Sequence, residues 1–434
     1  MADTTLESLP IELKILVLFE VPDSDTLKSL VLASPGYHEA YLMVRPQLLK
    51  CLVKRQYGGF LDLAEALTAV RSEGVHFSIG AEKAICVLDH WRRRSEFRDL
   101  KQSPSNRLDE PNSLEEIVTL LHFHKMLRFF LEDYSINAPR PPWIEPIEWE
   151  NKYLPLRLSL SEKHRFLRAM CRIQIMKNIF GDRVQCLEYP DCDSCGQVKL
   201  WTSGDTEELR NLQGTHGTWF IKEQAYRLFY GTIPPWEHEE MGGVFSYLMT
   251  KMKPISEEIA DDLRQLSKST PCNYFWDILP IEKRLPFCEI EMESDLVHFH
   301  HHFRELAGLG PGFLYRILHM DPLSRRNILC TNTRVLSEGP FIGLTIGLSW
   351  DHMFPFTDPA DRYDCPNFEQ LWSTLPPIEQ PTVGWKKSWV LPHNEEDTLE
   401  DAMHLERNSE KDCEWSYALW DERRLEEWKA PLLD

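Results

Sequence analysis

Hydrophobic positions recur along this chain with helical spacing. Leu9, Leu13 and Leu16 stand at i, i+4 and i+7, and Ile11, Ile15 and Leu18 form a second row, so a first helix is apolar over more than half its circumference. Such a helix needs cover on two sides. Leu27, Leu30 and Val31 make the stripe of a second helix, with Asp23, Ser24 and Asp25 as capping candidates before it. Ser34 and Pro35 suit the N-cap and first position of a third helix, in which Tyr37, Ala40, Tyr41 and Val44 recur at i, i+3, i+4 and i+7. Pro46 predicts a break or restart, after which Leu48, Leu49, Leu52 and Val53 carry a fourth segment to Gly58-Gly59.

The helical rhythm continues. Leu63, Leu67 and Val70 form one stripe, and Ala84, Ile85, Leu88 and Trp91 the next. The Arg92-Arg93-Arg94 run that follows suits the negative end of a helix dipole better than a binding patch. A polar, proline-punctuated loop over 99–112 precedes Ser113-x-x-Glu116, a capping box opening a long helix through Leu131. The proline-rich stretch from Ala138 to Pro155 predicts a strap laid across a surface by Trp143 and Trp149. Ser159-x-x-Glu162 opens an amphipathic helix through Phe166, Leu167, Met170, Ile173, Met176 and Phe180, stopped by Gly181. Strand signals are thin: Phe341 to Leu348 suits a short buried strand, or a turn-rich loop because of its two glycines. From Asp351 onward, Pro355, Pro359, Pro366, Pro376, Pro377, Pro381 and Pro392 predict extended segments wrapping the core, with the acidic piece from Thr398 to Trp428 returning to helix. No internal repeat is visible. The expectation is a mainly α chain in three parts: a helical module over 1–58, an irregular helical body over 59–350, and proline-rich wrapping segments over 351–434.

Composition narrows the function. In 434 residues, 42% hydrophobic content supports real cores. A net charge of -20, from 48 basic and 68 acidic residues, argues against nucleic-acid and anionic-membrane surfaces, which need clustered Lys and Arg. The N-terminal residues lack a signal-peptide pattern, and the Ile15 to Phe19 run is too short to span a bilayer. Eleven mostly scattered cysteines read as reduced thiols of a cytoplasmic or nuclear protein.

The candidate chemistry is sparse. Cys192 and Cys195, followed by Gly196 and with Cys186 and His216 nearby in sequence, form half of a structural zinc site. No second paired motif completes it, so reduced cysteines without metal are expected, with zinc as the alternative. His298 and His302 fall at i and i+4, but Phe299 occupies the place where a zinc-protease motif needs glutamate. Gly308, Gly310 and Gly312 lack the following Lys-Ser/Thr of a phosphate loop, and Pro311 removes an amide donor. There is no Gly-x-Ser-x-Gly elbow and no kinase signature. Glu115-Glu116, Glu207-Glu208 and Glu257-Glu258 lie near predicted helix starts, where they complement the dipole. No catalytic residue and no cofactor is expected; the chain reads as a non-enzyme.

One resemblance stands out. The string from Leu9 to Val44 resembles the F-box-like domain found at the start of many fungal proteins. Leu9-Pro10-x-Glu12-Leu13 matches its opening and Leu27-x-x-Leu30-Val31 its middle helix. Ala33-Ser34-Pro35-Gly36-Tyr37-His38 stands where the commoner pattern has Cys or Ser, a basic residue and Trp; it is similar to a fungal variant. Glu162 to Gly181, centred on Arg165-Phe166-Leu167-Arg168-Ala169, and the C-terminal stretch Glu414 to Asp421 with Arg424, Leu425 and Trp428 also look like recurring parts of such proteins. The resemblance implies docking on the Skp-type adaptor of an SCF cullin-RING ubiquitin ligase, with the remaining chain selecting an unknown protein substrate. Leu9, Pro10, Glu12, Leu13, Leu16, Leu27, Leu30, Val31 and Tyr37 are the expected contacts. Three helices of about ten residues bury too little to stand alone, so adaptor or body must complete their core. The alternative is that residues 1–58 form only the first layer of one continuous helical scaffold.

Overall fold

The computed structural model describes residues 6–92, 110–181, 224–225, 228–269, 303–333, 373, 375–389 and 415–431. These residues are mainly helical, and no strand occurs among them. A 3-10 turn at Leu6–Ser8 leads into α1 (Ile11–Glu20), α2 (Ser24–Ala33) and α3 (Pro35–Tyr57). Asp23 caps α2: its carboxylate accepts from the Thr26 amide at 2.8 Å, which holds its pKa below the usual carboxylate range. Ser34 and Pro35 take the N-cap and first helical positions of α3, although the serine side chain makes no cap bond.

Pro46 departs from expectation. It lies inside one 23-residue helix rather than breaking it. Without an amide at Pro46, the Leu42 carbonyl loses its intrahelical donor. Packing against neighbouring helices holds the helix together across this flaw. It packs on α1, α2 and the later helix Leu114–Asn137, and Leu48, Leu49, Leu52, Val53 and Tyr57 sink into the core shared with the body.

In the body, α4 (Leu63–Arg71), α5 (Ala81–Arg92), α6 (Leu114–Asn137) and α8 (Leu160–Phe180) pack around one another, with the one-turn α7 (Pro146–Glu148) between the last two. The predicted boxes form locally. At α8, Ser159 and Glu162 satisfy each other's backbone amides; at α6, Ser113 accepts from the Glu116 amide, but the Glu116 carboxylate turns to Arg71 and the Asn112 amide. Then follow α9 (Pro235–Ser269), α10 (Phe303–Gly308), α11 (Gly310–Leu318), α12 (Pro322–Thr333), α13 (Val383–Trp389) and α14 (Glu422–Glu427). Glu257 and Glu258 therefore sit within α9 rather than at a helix start.

α8 is the axis of the body and corrects a second expectation. It is not amphipathic in its surroundings, because α4, α6, α9, α11 and the turn at Tyr417–Leu419 enclose it and its arginines are buried with its apolar residues. Those charges survive burial because each has a carboxylate. Arg165 Nη1 donates to Asp421 at 2.8 Å, Arg168 to Glu240 and Glu237 at 2.7 Å each, and Arg172 to Glu65 at 3.1 Å and to Glu237. At the helix start, Arg424 donates to both Glu162 oxygens at 2.6 Å.

The strap is anchored by its tryptophans, but it is not free of helix: Pro146 stands at the first position of the one-turn α7, where it costs no ladder bond, and a π-helical turn at Trp149–Tyr153 continues it. Trp149 is buried, its indole donating to the Ala138 carbonyl, and Trp143 donates to the Trp428 carbonyl at 3.0 Å. Trp415, Trp420 and Trp428 close over it, with Trp420 stacked 5.8 Å from Tyr134 of α6. Within the proline-rich third, Val383–Trp389 is helical rather than extended, with Trp385 buried against Trp236 of α9. Its prolines at 376, 377 and 381 all precede the helix, where they cost no ladder bond. The glycines at 308–312 serve packing: Gly310 takes a positive φ of 89°, and the Gly312 amide donates to Gln174 of α8 at 2.9 Å. Cys186, Cys192, Cys195, His216, the histidines at 298–302 and the stretch from Phe341 to Leu348 lie outside the described residues.

Candidate docking surface

The first three helices place their apolar residues on two surfaces. Leu18, Leu27, Val31, Tyr37 and Ala40 are buried and hold the module together. Arg55 of α3 donates to the carbonyls of Phe19 at 2.6 Å and Val21 at 2.7 Å, so a cation meets the negative end of α1 and fixes its angle to α3. The Tyr57 hydroxyl donates to the Leu120 carbonyl at 2.8 Å, and the Tyr57 ring meets His124 edge-on. These contacts bind module to body through the second half of α3.

The outer surface is less ordinary. At 100° per residue, Glu12, Leu13, Leu16 and Glu20 of α1 fall within an arc of about 100°, and all four are exposed. Leu32 lies in the middle of the exposed face of α2, and Leu42, Met43 and Pro46 share the exposed face of α3. Exposure of the large apolar residues here runs from 44% at Leu13 to 73% at Leu32. Half of the exposed large hydrophobic side chains among the described residues, Leu6, Leu13, Leu16, Leu32, Leu42 and Met43, belong to this short module. Isolated exposed leucines are ordinary; on one helix, Leu13 and Leu16 stand one turn apart on the same exposed face with Glu12 and Glu20 beside them. Covering one such side chain fully is worth about 1.5–3 kcal/mol.

The expected contact residues divide accordingly. Pro10, Glu12, Leu13 and Leu16 face outward, Leu9 and Leu30 are half-buried, and Leu27, Val31 and Tyr37 belong to the interior. Leu6, Leu32, Leu42 and Met43 escaped the sequence reading. Leu32, Leu42 and Met43 sit outside the stripes that define their helices, which was the available signal, and Leu6 lies in the short turn before α1.

Among the described residues, no group of three or more His, Cys, Asp or Glu is placed to hold a metal ion, and no helix is long and apolar enough to cross a membrane. The chain matches no family model, and neither a curated protein nor a solved structure matches it significantly.

Proposed function

We propose that this protein is a non-enzymatic adaptor of the cytoplasm or nucleus, whose first 58 residues dock on the Skp-type subunit of an SCF ubiquitin ligase while the body selects a protein substrate. The supporting observation is the outward row Leu13 and Leu16, flanked by Glu12 and Glu20, on a helix whose other side is already covered. It continues the Leu9-Pro10 opening that carries the F-box-like resemblance. Apolar anchors in such an interface dominate its energy, and the charged rim sets register. In an affinity pull-down the intact chain recovers the adaptor, and Leu9→Ala with Pro10→Ala abolishes recovery; no adaptor with the unaltered chain overturns the reading.

A second reading, a scaffold without ligase association, draws on the burial of Leu27, Val31 and Tyr37 and on the core shared through Tyr57. Because module and body share that core, deleting residues 1–58 destabilises the remainder under either reading. Substitutions confined to the outer row separate the two. A zinc-stabilised protein built on Cys192 and Cys195 is excluded if metal analysis of the purified chain finds no stoichiometric zinc.

A further inference from the structure

A cleft of about 630 Å³ opens where module and body meet, between the end of α3, the middle of α6, residues 156–158 and the start of α8. Its volume falls in the range of small-molecule sites. Phe60, Leu127, Leu131, Leu158 and Leu167 make much of its wall apolar.

Its charges are unlike those of the chain as a whole. Four cations and two carboxylates line it, in a protein of net charge -20. Two of the cations are committed: Arg55 to the carbonyls that end α1, and Arg128 to Glu132 at 2.6 Å. Asp23 is occupied by the Thr26 amide, and burial lowers the pKa of His124 below that of free histidine, leaving the ring neutral at pH 7. Arg157 and Lys163 remain. Neither meets a carboxylate among the described residues, although every arginine of α8 does. The Lys163 ammonium stands 5.7 Å from the Phe60 ring centroid, at the apolar wall. The Arg157 backbone is fixed because its carbonyl accepts from Arg424 at 2.7 Å.

We infer that this cleft is a binding site for an amphipathic organic carboxylate, with its hydrocarbon body against Phe60, Leu131 and Leu167 and its carboxylate at Arg157 and Lys163. An apolar molecule without charge leaves both cations unanswered, and a small inorganic anion leaves the leucine walls uncovered. A cationic amphiphile meets net repulsion. This site is independent of adaptor docking, since Leu13 and Leu16 do not line it.

Calorimetric titration of the full chain with sodium decanoate, 1-decanol and decylammonium tests the assignment. Decanoate binds saturably at one molecule per chain, about tenfold tighter than the alcohol, the scale of one charge-assisted hydrogen bond. Arg157→Glu with Lys163→Glu removes that preference and leaves the melting temperature unchanged, because both side chains reach solvent. Ser135→Trp fills the cleft and blocks decanoate and alcohol alike. No saturable decanoate binding, equal affinity for decanoate and decanol, or a charge-reversed variant that binds decanoate as before overturns the proposal.

Discussion

Arg168 lies fully enclosed on α8 between Glu237 and Glu240, and it illustrates what one residue can cost when its surroundings are dry. Burial raises the pKa of Glu240 more than the neighbouring arginine lowers it, so the carboxylate depends on this partner to stay ionised. Arg168→Met strands the Glu240 carboxylate in the core, leaves Glu237 with Arg172 alone, and is expected to lower unfolding free energy by about 3–5 kcal/mol. Chemical denaturation checks this against Arg128→Met at an exposed pair, expected to cost under about 1 kcal/mol. Equal losses for the two variants would contradict the burial argument. Nothing in Arg165-Phe166-Leu167-Arg168 announces buried charge. Local periodicity reads arginines as a solvated face, and the answering carboxylates come from positions 65, 237, 240 and 421.

For whole elements, periodicity and capping were readable and enclosure was not. The Ser159-Glu162 box, the Asp23 cap and the Gly181 stop all lie where a few neighbouring residues decide the outcome. α3 is the exception, because its continuity through Pro46 depends on packing against α1 and α6 rather than on its own sequence. Pro46→Ala should therefore stabilise the protein by about 1–3 kcal/mol, since an interior proline costs about 3 kcal/mol relative to alanine and the surrounding structure has recovered part of it. Thermal unfolding measures the change; a lower midpoint would mean that the chain requires the bend at Pro46. The candidate surface was partly legible for the same reason. The row at Leu13 and Leu16 follows from helical spacing, whereas Leu32, Leu42 and Met43 needed the neighbouring helices in place to show which side stays open.

For the molecule as a whole, a buried polar interior makes stability depend on pH. Burial lowers the pKa of His238, whose Nε2 donates to the Tyr230 carbonyl, and of His164, which also lies near Arg168, to about 4 each. Both rings are neutral in the folded chain where the unfolded chain is already protonated. Stability is then complete above about pH 6.5 and falls as pH drops toward 4, by up to about 1.4 kcal/mol per pH unit for each histidine. Denaturation midpoints at pH 7.5, 6 and 5 should decrease in that order, and His238→Gln should flatten the decline; a pH-independent midpoint would contradict the burial of these rings.

The N-terminal module is held in place by one set of residues and presents another. Its inner surface belongs to the core of the body, so a partner meets its outward residues, Leu13 and Leu16 among them. The most direct measurement is the affinity of a Skp-type adaptor for the full chain and for Leu13→Glu with Leu16→Glu, each with its melting temperature. Saturable binding by the unaltered chain is expected, with at least about a hundredfold loss in the variant, the scale of two apolar anchors, at an unchanged melting temperature. No binding by the unaltered chain, or binding unaffected by both substitutions, would contradict adaptor docking.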